Sequence, residues 1–216
     1  NQILSVDQEK MQVTVLPGVI RDELNSYLEP YGLFFGPNTS TANRCMIGGM
    51  VGNNSSGTTS IRYGVTREFT ASLKTVLSNG EEVEFKALTS EEFIAKTKLN
   101  SLEGSIYKNL YQELSNKETQ EEIISEFPKP QIHRRNTGYA IDMLLKSNVF
   151  GGLDKLINVC ELLSGSEGTL AFTTEITLQL AKLPPKLSAM VVTHYHTLED
   201  CLKDVVPTMQ HNLHTC

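Results

Sequence analysis

The segment IGGMVGNNSSGTTSIRYG, Ile47–Gly64, constrains the chain more than any other stretch. Glycines, the adjacent Asn53 and Asn54 and a run of serines and threonines dominate it. That composition ordinarily marks a linker without a core of its own. Here it interrupts well-patterned surroundings, and it carries apolar Ile47, Met50 and Val51 and the aromatic Tyr63. Six of the 15 glycines fall between Gly36 and Gly64. Glycine permits φ > 0 and close approach of another group, and Asn and Ser add short donors and acceptors. Such a loop suits a phosphate or a polar heterocycle. A purely structural loop is an equally open reading, because neither GxxxxGK[ST] nor GxGxxG is present. A second glycine-rich patch, GSEGT at Gly165–Thr169, precedes a strand pattern. Two such patches in one domain point to an elongated ligand.

The flanking patterns give an α+β domain. Alternation at Ile3–Val6 and Met11–Leu16 predicts two strands, and apolar spacing over 20–31 predicts a helix ended by Gly32. The stretch 71–85 reads as a hairpin about Asn79–Gly80, and 170–178 as a further strand. These strands are expected in an antiparallel sheet with helices on one face. Helices are predicted over 89–99, 102–115 and 117–126, and a short one after NTGYAID. The residues LSAMVVTHYH read as a strand and 197–211 as a helix. A hinge at Pro184–Pro185 divides residues 1–184 from a second unit, 185–216. The chain begins on a strand pattern and stops without a helix cap, which suggests a piece of something longer.

Composition excludes several classes. The net charge of −6, with cations scattered singly apart from His133–Arg135, does not make a nucleic-acid face. No apolar run approaches the ~20 residues of a membrane span, and no secretory signal is visible, which favours the cytoplasm. Cys45, Cys160, Cys201 and Cys216 lack CxxC spacing and read as free thiols of a reducing compartment. His194 and His196 face one side of a strand pattern, as metal ligands do, but no third ligand lies near. No metal site is assigned.

The three ordered motifs IGGMVGNNSSG…RYG, RNTGYAID and GSEGTLAFTTEITLQL resemble the FAD-linked oxidase family, whose flavin domain has the PCMH-type, vanillyl-alcohol oxidase-like fold. Glycolate oxidase subunits and D-lactate and D-2-hydroxyglutarate dehydrogenases are its members. The resemblance spans about Asp7 to Pro185. It implies the second subdomain of the FAD-binding domain, with the N-terminal subdomain and the C-terminal substrate cap truncated. By position it implies that Ile47, Gly48, Gly49, Asn53, Asn54, Ser56 and Gly57 line the pyrophosphate and flavin, with Tyr63 and Gly64 closing that segment and Pro37 and Thr41 flanking the ring. Glu167, Gly168 and the backbone near Phe172 would hold the adenosine end. Asn136 and Tyr139 would face flavin or substrate. From their chemistry, Arg134 or Arg135 suits a substrate carboxylate, and a solvated loop pair is an equally open reading. Gly49 would need φ > 0, and Cys45 is a candidate for covalent flavin attachment or, more simply, a buried thiol.

The implied activity is oxidation of a D-2-hydroxy acid by hydride transfer to FAD. The base would come from outside this chain, and electrons would pass to a quinone or an iron–sulfur module, with peripheral association at the inner face of a membrane. The resemblance also implies that the fragment alone is inactive and holds little or no FAD. Two other readings stand beside it: an interaction domain that has kept the fold but lost flavin, and an NADPH-dependent cell-wall-sugar reductase of the same fold.

Overall fold

The strand β1 (Ile3–Asp7) turns back into β2 (Gln12–Val15), and α1 (Arg21–Leu28) follows, its last turn tightening into a 3-10 helix that Gly32 ends at φ 71°. These elements belong to a computed structural model that describes residues 1–129, 131–132, 134–135 and 138–215. After β3 (Leu33–Phe34) come three short helices: α2 (Ile47–Asn53), α3 (Ser60–Tyr63) and α4 (Thr66–Phe69). The hairpin β4 (Thr70–Val76) and β5 (Glu82–Leu88) leads to α5 (Ser90–Lys96), α6 (Leu102–Leu114) and α7 (Lys117–Glu126). Then α8 (Ile141–Leu144), β6 (Ile157–Asn158), α9 (Cys160–Leu163), β7 (Phe172–Gln179), β8 (Ala181–Lys182) and α10 (Leu198–Met209) complete the chain.

The main sheet has the order β1-β2-β7-β4-β5-β6, and every neighbouring pair is antiparallel. Register decides its two faces, because successive side chains alternate. Val13 sits opposite Leu178, and Val15 and Leu73 both sit opposite Ile176, so these buried residues share one face with Phe85. The other face carries a polar ladder: Thr14 bonds Thr177 at 3.1 Å, Gln12 bonds Gln179 at 3.2 Å, and Lys74 pairs with Glu175 at 2.8 Å. One apolar and one polar face is what an antiparallel sheet beside water requires. Leu24 and Leu28 of α1, Phe93 of α5, Tyr107 and Leu114 of α6 and Leu144 of α8 cover the apolar face in a single core. The expected α+β class, the antiparallel sheet and the helical layer are all present.

Two expectations need correction. Residues 47–53 form a helix rather than a loop, although glycine costs about 1 kcal/mol per residue in a helix interior. Burial outweighs that cost: Ile47, Met50 and Val51, spaced i, i+3, i+4, are all inserted in the core. The turn before α1 also satisfies the first amides of α2, since Ile47 N–H donates to Val19 O at 2.9 Å and Gly48 N–H to Pro17 O at 2.8 Å. The second correction concerns residues 187–196, which form no strand. Leu187, Met190, Val191 and Val192 have strand-like composition but are exposed, and no described strand pairs with them. A strand without a neighbour has no ladder to hold it.

Candidate functional site

Helix α2 ends where the second glycine-rich patch begins. Asn54 closes the helix in the left-handed region at φ 49°, leaving carbonyls of the last turn to find partners elsewhere. Two come from far along the chain: Gly165 N–H donates to Val51 O at 2.9 Å, and Glu167 N–H to Gly52 O at 2.8 Å. The patch meets those carbonyls because it bends sharply, with Gly165, Glu167 and Gly168 at φ 98°, 52° and 76°. Glycine takes such angles freely. Glu167 does so at a cost and with its side chain exposed, an arrangement that packing does not require.

The RNTGYAID segment touches both patches. Arg134 Nε donates to Ser56 Oγ at 3.3 Å, and the Tyr139 hydroxyl lies 2.8 Å from Thr169 Oγ1. All three motifs therefore converge on one surface, which exposes Gly49, Asn53, Glu167, Gly168, Thr169 and Tyr139. Asn136 lies outside the described residues, as do His133 and Cys216.

The glycines of the first motif serve two different purposes. A Cβ on Gly48 would stand 2.6 Å from Pro17 Cβ, and one on Gly57 only 1.5 Å from Asn38 O, so close backbone packing dictates both. Gly49 has no atom within 4 Å of the Cβ it lacks, and it faces open space. It is helical rather than at φ > 0, which corrects that expectation; room for a neighbour, not backbone conformation, is what a side chain there would remove.

The remaining candidates are fixed by the scaffold. Pro37 is buried, and its carbonyl accepts from Arg21 Nε at 3.2 Å. Thr41 Oγ1 lies 3.2 Å from Thr39 Oγ1, which also contacts Cys45 Sγ at 3.3 Å; Cys45 is a half-buried free thiol. Tyr63 stacks edge-on against Phe34 at 5.0 Å and covers Gly36, while Gly64 turns the chain at φ 59°. Asn54 is buried, and its Oδ1 accepts from Arg67 N–H at 2.8 Å. Phe172 begins β7 opposite Val76 with 73% of its surface exposed. His194 and His196 lie on the unpaired segment, and no group of three metal-ligating side chains gathers among the described residues.

The adjacent arginines have different surroundings. Arg135 is paired with Asp142 and lies 5.9 Å from the Phe127 ring centroid, so its charge is spent inside the fold. Arg134 is exposed beside the first motif. Behind the site, Arg67 is buried and donates to Glu161 O at 2.8 Å and Ser164 O at 2.6 Å; burial lowers its pKa. The Glu161 carboxyl is pushed up to about 7, chiefly by burial, with Lys146 and Arg67 opposing the shift. Sequence reasoning missed Arg67 and Thr169. A lone arginine in a polar stretch carries no periodic signal, and only the fold shows that it is enclosed.

Residues 1–86 match the family model described as an FAD binding domain. The chain belongs to the FAD-linked oxidase family. It is 35% identical over 204 residues to a D-2-hydroxyglutarate dehydrogenase of Escherichia coli K12, covering 94% of this chain and 19% of that protein. Glycolate oxidase subunit GlcD of Bacillus subtilis is 42% identical over 81 residues, covering 38% of this chain and 17% of GlcD. A mitochondrial D-lactate dehydrogenase (cytochrome) of Arabidopsis thaliana is 29% identical over 212 residues, covering 96% of this chain and 25% of that protein. The chain thus spans about a fifth of the length of the first of these FAD-linked oxidase relatives, 19%. No helix among the described residues is long and apolar enough to cross a membrane.

Proposed function

We propose that the protein carrying this chain is a flavin-dependent dehydrogenase, that its FAD lies along the surface where the three motifs meet, and that its substrate is a D-2-hydroxy acid. The observation that carries this reading is the mutual bonding of the motifs: Gly165 to Val51, Glu167 to Gly52, Arg134 to Ser56 and Tyr139 to Thr169. Segments far apart in sequence build one polar, backbone-rich surface, as a dinucleotide needs. The open space at Gly49 fits a group resting against α2.

Bound FAD supplies the acceptor for the hydride that leaves the hydroxyl-bearing carbon. The chain's own residues bind and orient. Gly49, Asn53 and Ser56 form the face toward pyrophosphate and ring, with Gly48 and Gly57 seating that segment against Pro17 and Asn38. Glu167 and Gly168, held at the end of α2, meet the adenosine portion. Arg134 is the side chain placed to take a substrate carboxylate, because Arg135 is already paired. The proton acceptor for the substrate hydroxyl and the onward electron carrier, a quinone or an iron–sulfur module, are proposed to lie outside these residues, and 185–216 is proposed to begin the substrate cap.

The test is purification of the full-length protein with its bound cofactor. The reading expects a flavin absorbance near ~450 nm, a general property of the cofactor, and dye-coupled turnover of D- but not L-2-hydroxy acids. A colourless protein that takes up no FAD would overturn the cofactor assignment. A yellow protein inert toward the whole panel would overturn the substrate class.

A further inference from the structure

We infer that Arg67 is the positioning residue for the turn Gly165–Thr169, and that its guanidinium sets where the exposed groups of that turn stand against the ligand. The inference rests on the FAD reading above, and it turns on a residue that lies outside the three motifs. Arg67 is only 6% exposed, on a helix of one turn, α4. Its Nε donates to Glu161 O at 2.8 Å and its Nη2 to Ser164 O at 2.6 Å, so one planar fork holds the carbonyls at the end of α9. Its own N–H donates to Asn54 Oδ1 at 2.8 Å, on the residue that closes α2. A Cβ on Gly165 would stand 3.0 Å from Arg67 Nη2; the guanidinium occupies the place of a side chain at the first residue of the turn.

The geometry makes this more than packing. The turn holds three residues at positive φ; the two glycines take it freely, Glu167 takes it at a cost, and Thr169 N–H closes the turn on Ser166 O at 3.0 Å. Its middle is tied to α2 and its far end to Tyr139. Its first residue, Gly165, is tied to Val51 of α2, and Arg67 fixes the residue just before it through the carbonyl of Ser164 while its own amide meets Asn54, which closes α2. Both patches are thereby referred to one buried residue, the first through its backbone amide and the second through its guanidinium. Lysine cannot replace it, since one ammonium on a flexible stem lacks the rigid fork that spans two carbonyls.

The experiment uses the full-length protein stripped of flavin, with the variants R67K and R67M. Dissociation constants for FAD and for FMN, which lacks the adenosine end, are read from flavin fluorescence quenching. Amide exchange of Gly165 and Glu167 is followed in the flavin-free state against Leu73 in β4. The expected result is that R67K weakens FAD binding at least tenfold while FMN binding changes less than twofold. Exchange at Gly165 and Glu167 should accelerate at least tenfold with Leu73 unchanged, and R67M should go further in both. An unchanged FAD-to-FMN ratio in R67K, or equal loss of both ligands, would overturn the inference, since a merely structural arginine weakens both alike. If R67M does not fold, R67K decides. If the wild-type protein binds no flavin, the FAD reading has failed, and exchange alone decides: unaltered Gly165 and Glu167 amides in R67K reject the positioning role.

Discussion

The amide of Glu167 donates to the carbonyl of Gly52 over 2.8 Å, joining two glycine-rich stretches on opposite sides of the hairpin β4–β5 in sequence. Neither residue has a side chain that explains the contact. It exists because α2 ends with free carbonyls and the turn before β7 offers an amide at the right height. That bond turns two separate composition anomalies into one surface.

The adjacent glycines of α2 separate scaffold from site. Gly48→Ala should destabilise the fold by about 1–3 kcal/mol, because its Cβ would overlap Pro17. Gly49→Ala meets no atom, and helix propensity should leave stability unchanged or raise it by up to about 1 kcal/mol. In the full-length protein Gly49→Ala should nevertheless weaken FAD binding, and Gly49→Val should abolish it without unfolding the domain. Urea unfolding and FAD titration of the same variants check both halves.

Glu161 makes stability depend on pH. Its folded pKa of about 7 lies above the unfolded value near about 4.3. Between those values the native state keeps a proton that the unfolded chain releases, so stability falls as pH rises and the full loss is reached above 7. Glu161→Gln should flatten that slope, adding about 2 kcal/mol at pH 8 and almost nothing at pH 4. The bond from Arg67 survives, because it uses the backbone carbonyl of Glu161. Denaturant midpoints across pH test the sign directly; a variant less stable at pH 8 would contradict it.

The capping box of α5 provides a control remote from the site. Thr89 Oγ1 accepts from Glu92 N–H at 3.3 Å, and Glu92 Oε2 accepts from Thr89 N–H at 2.8 Å. Thr89→Ala should cost about 1 kcal/mol of stability and leave flavin affinity unaltered.

Tyr139→Phe removes the hydroxyl that meets Thr169 while leaving the ring. The contact is exposed, so thermal unfolding should shift by the equivalent of less than about 1 kcal/mol. Flavin affinity of the full-length protein should fall several-fold if this hydroxyl holds the third motif in register. Equal affinity with and without it would remove Tyr139 from the site.

The sequence alone determined most of the scaffold. Alternation marked β1, β2, β4, β5 and β7, the Asn79–Gly80 turn marked the hairpin, and apolar spacing ended by Gly32 marked α1, because each of these signals acts over a few residues. The same motifs made the family legible. Tertiary structure decided the rest. Ile47–Asn53 is a helix only because Ile47, Met50 and Val51 find a core and Pro17 and Val19 accept its first amides. Residues 187–192 form no strand, since pairing needs a neighbour that local composition cannot supply. Arg134 and Arg135, side by side in the chain, differ in role because Asp142 reaches only one of them. Arg67 emerged as the link between the glycine-rich patches for the same reason: the carbonyls that hold it lie far along the chain, and only folding brings them within hydrogen-bonding distance.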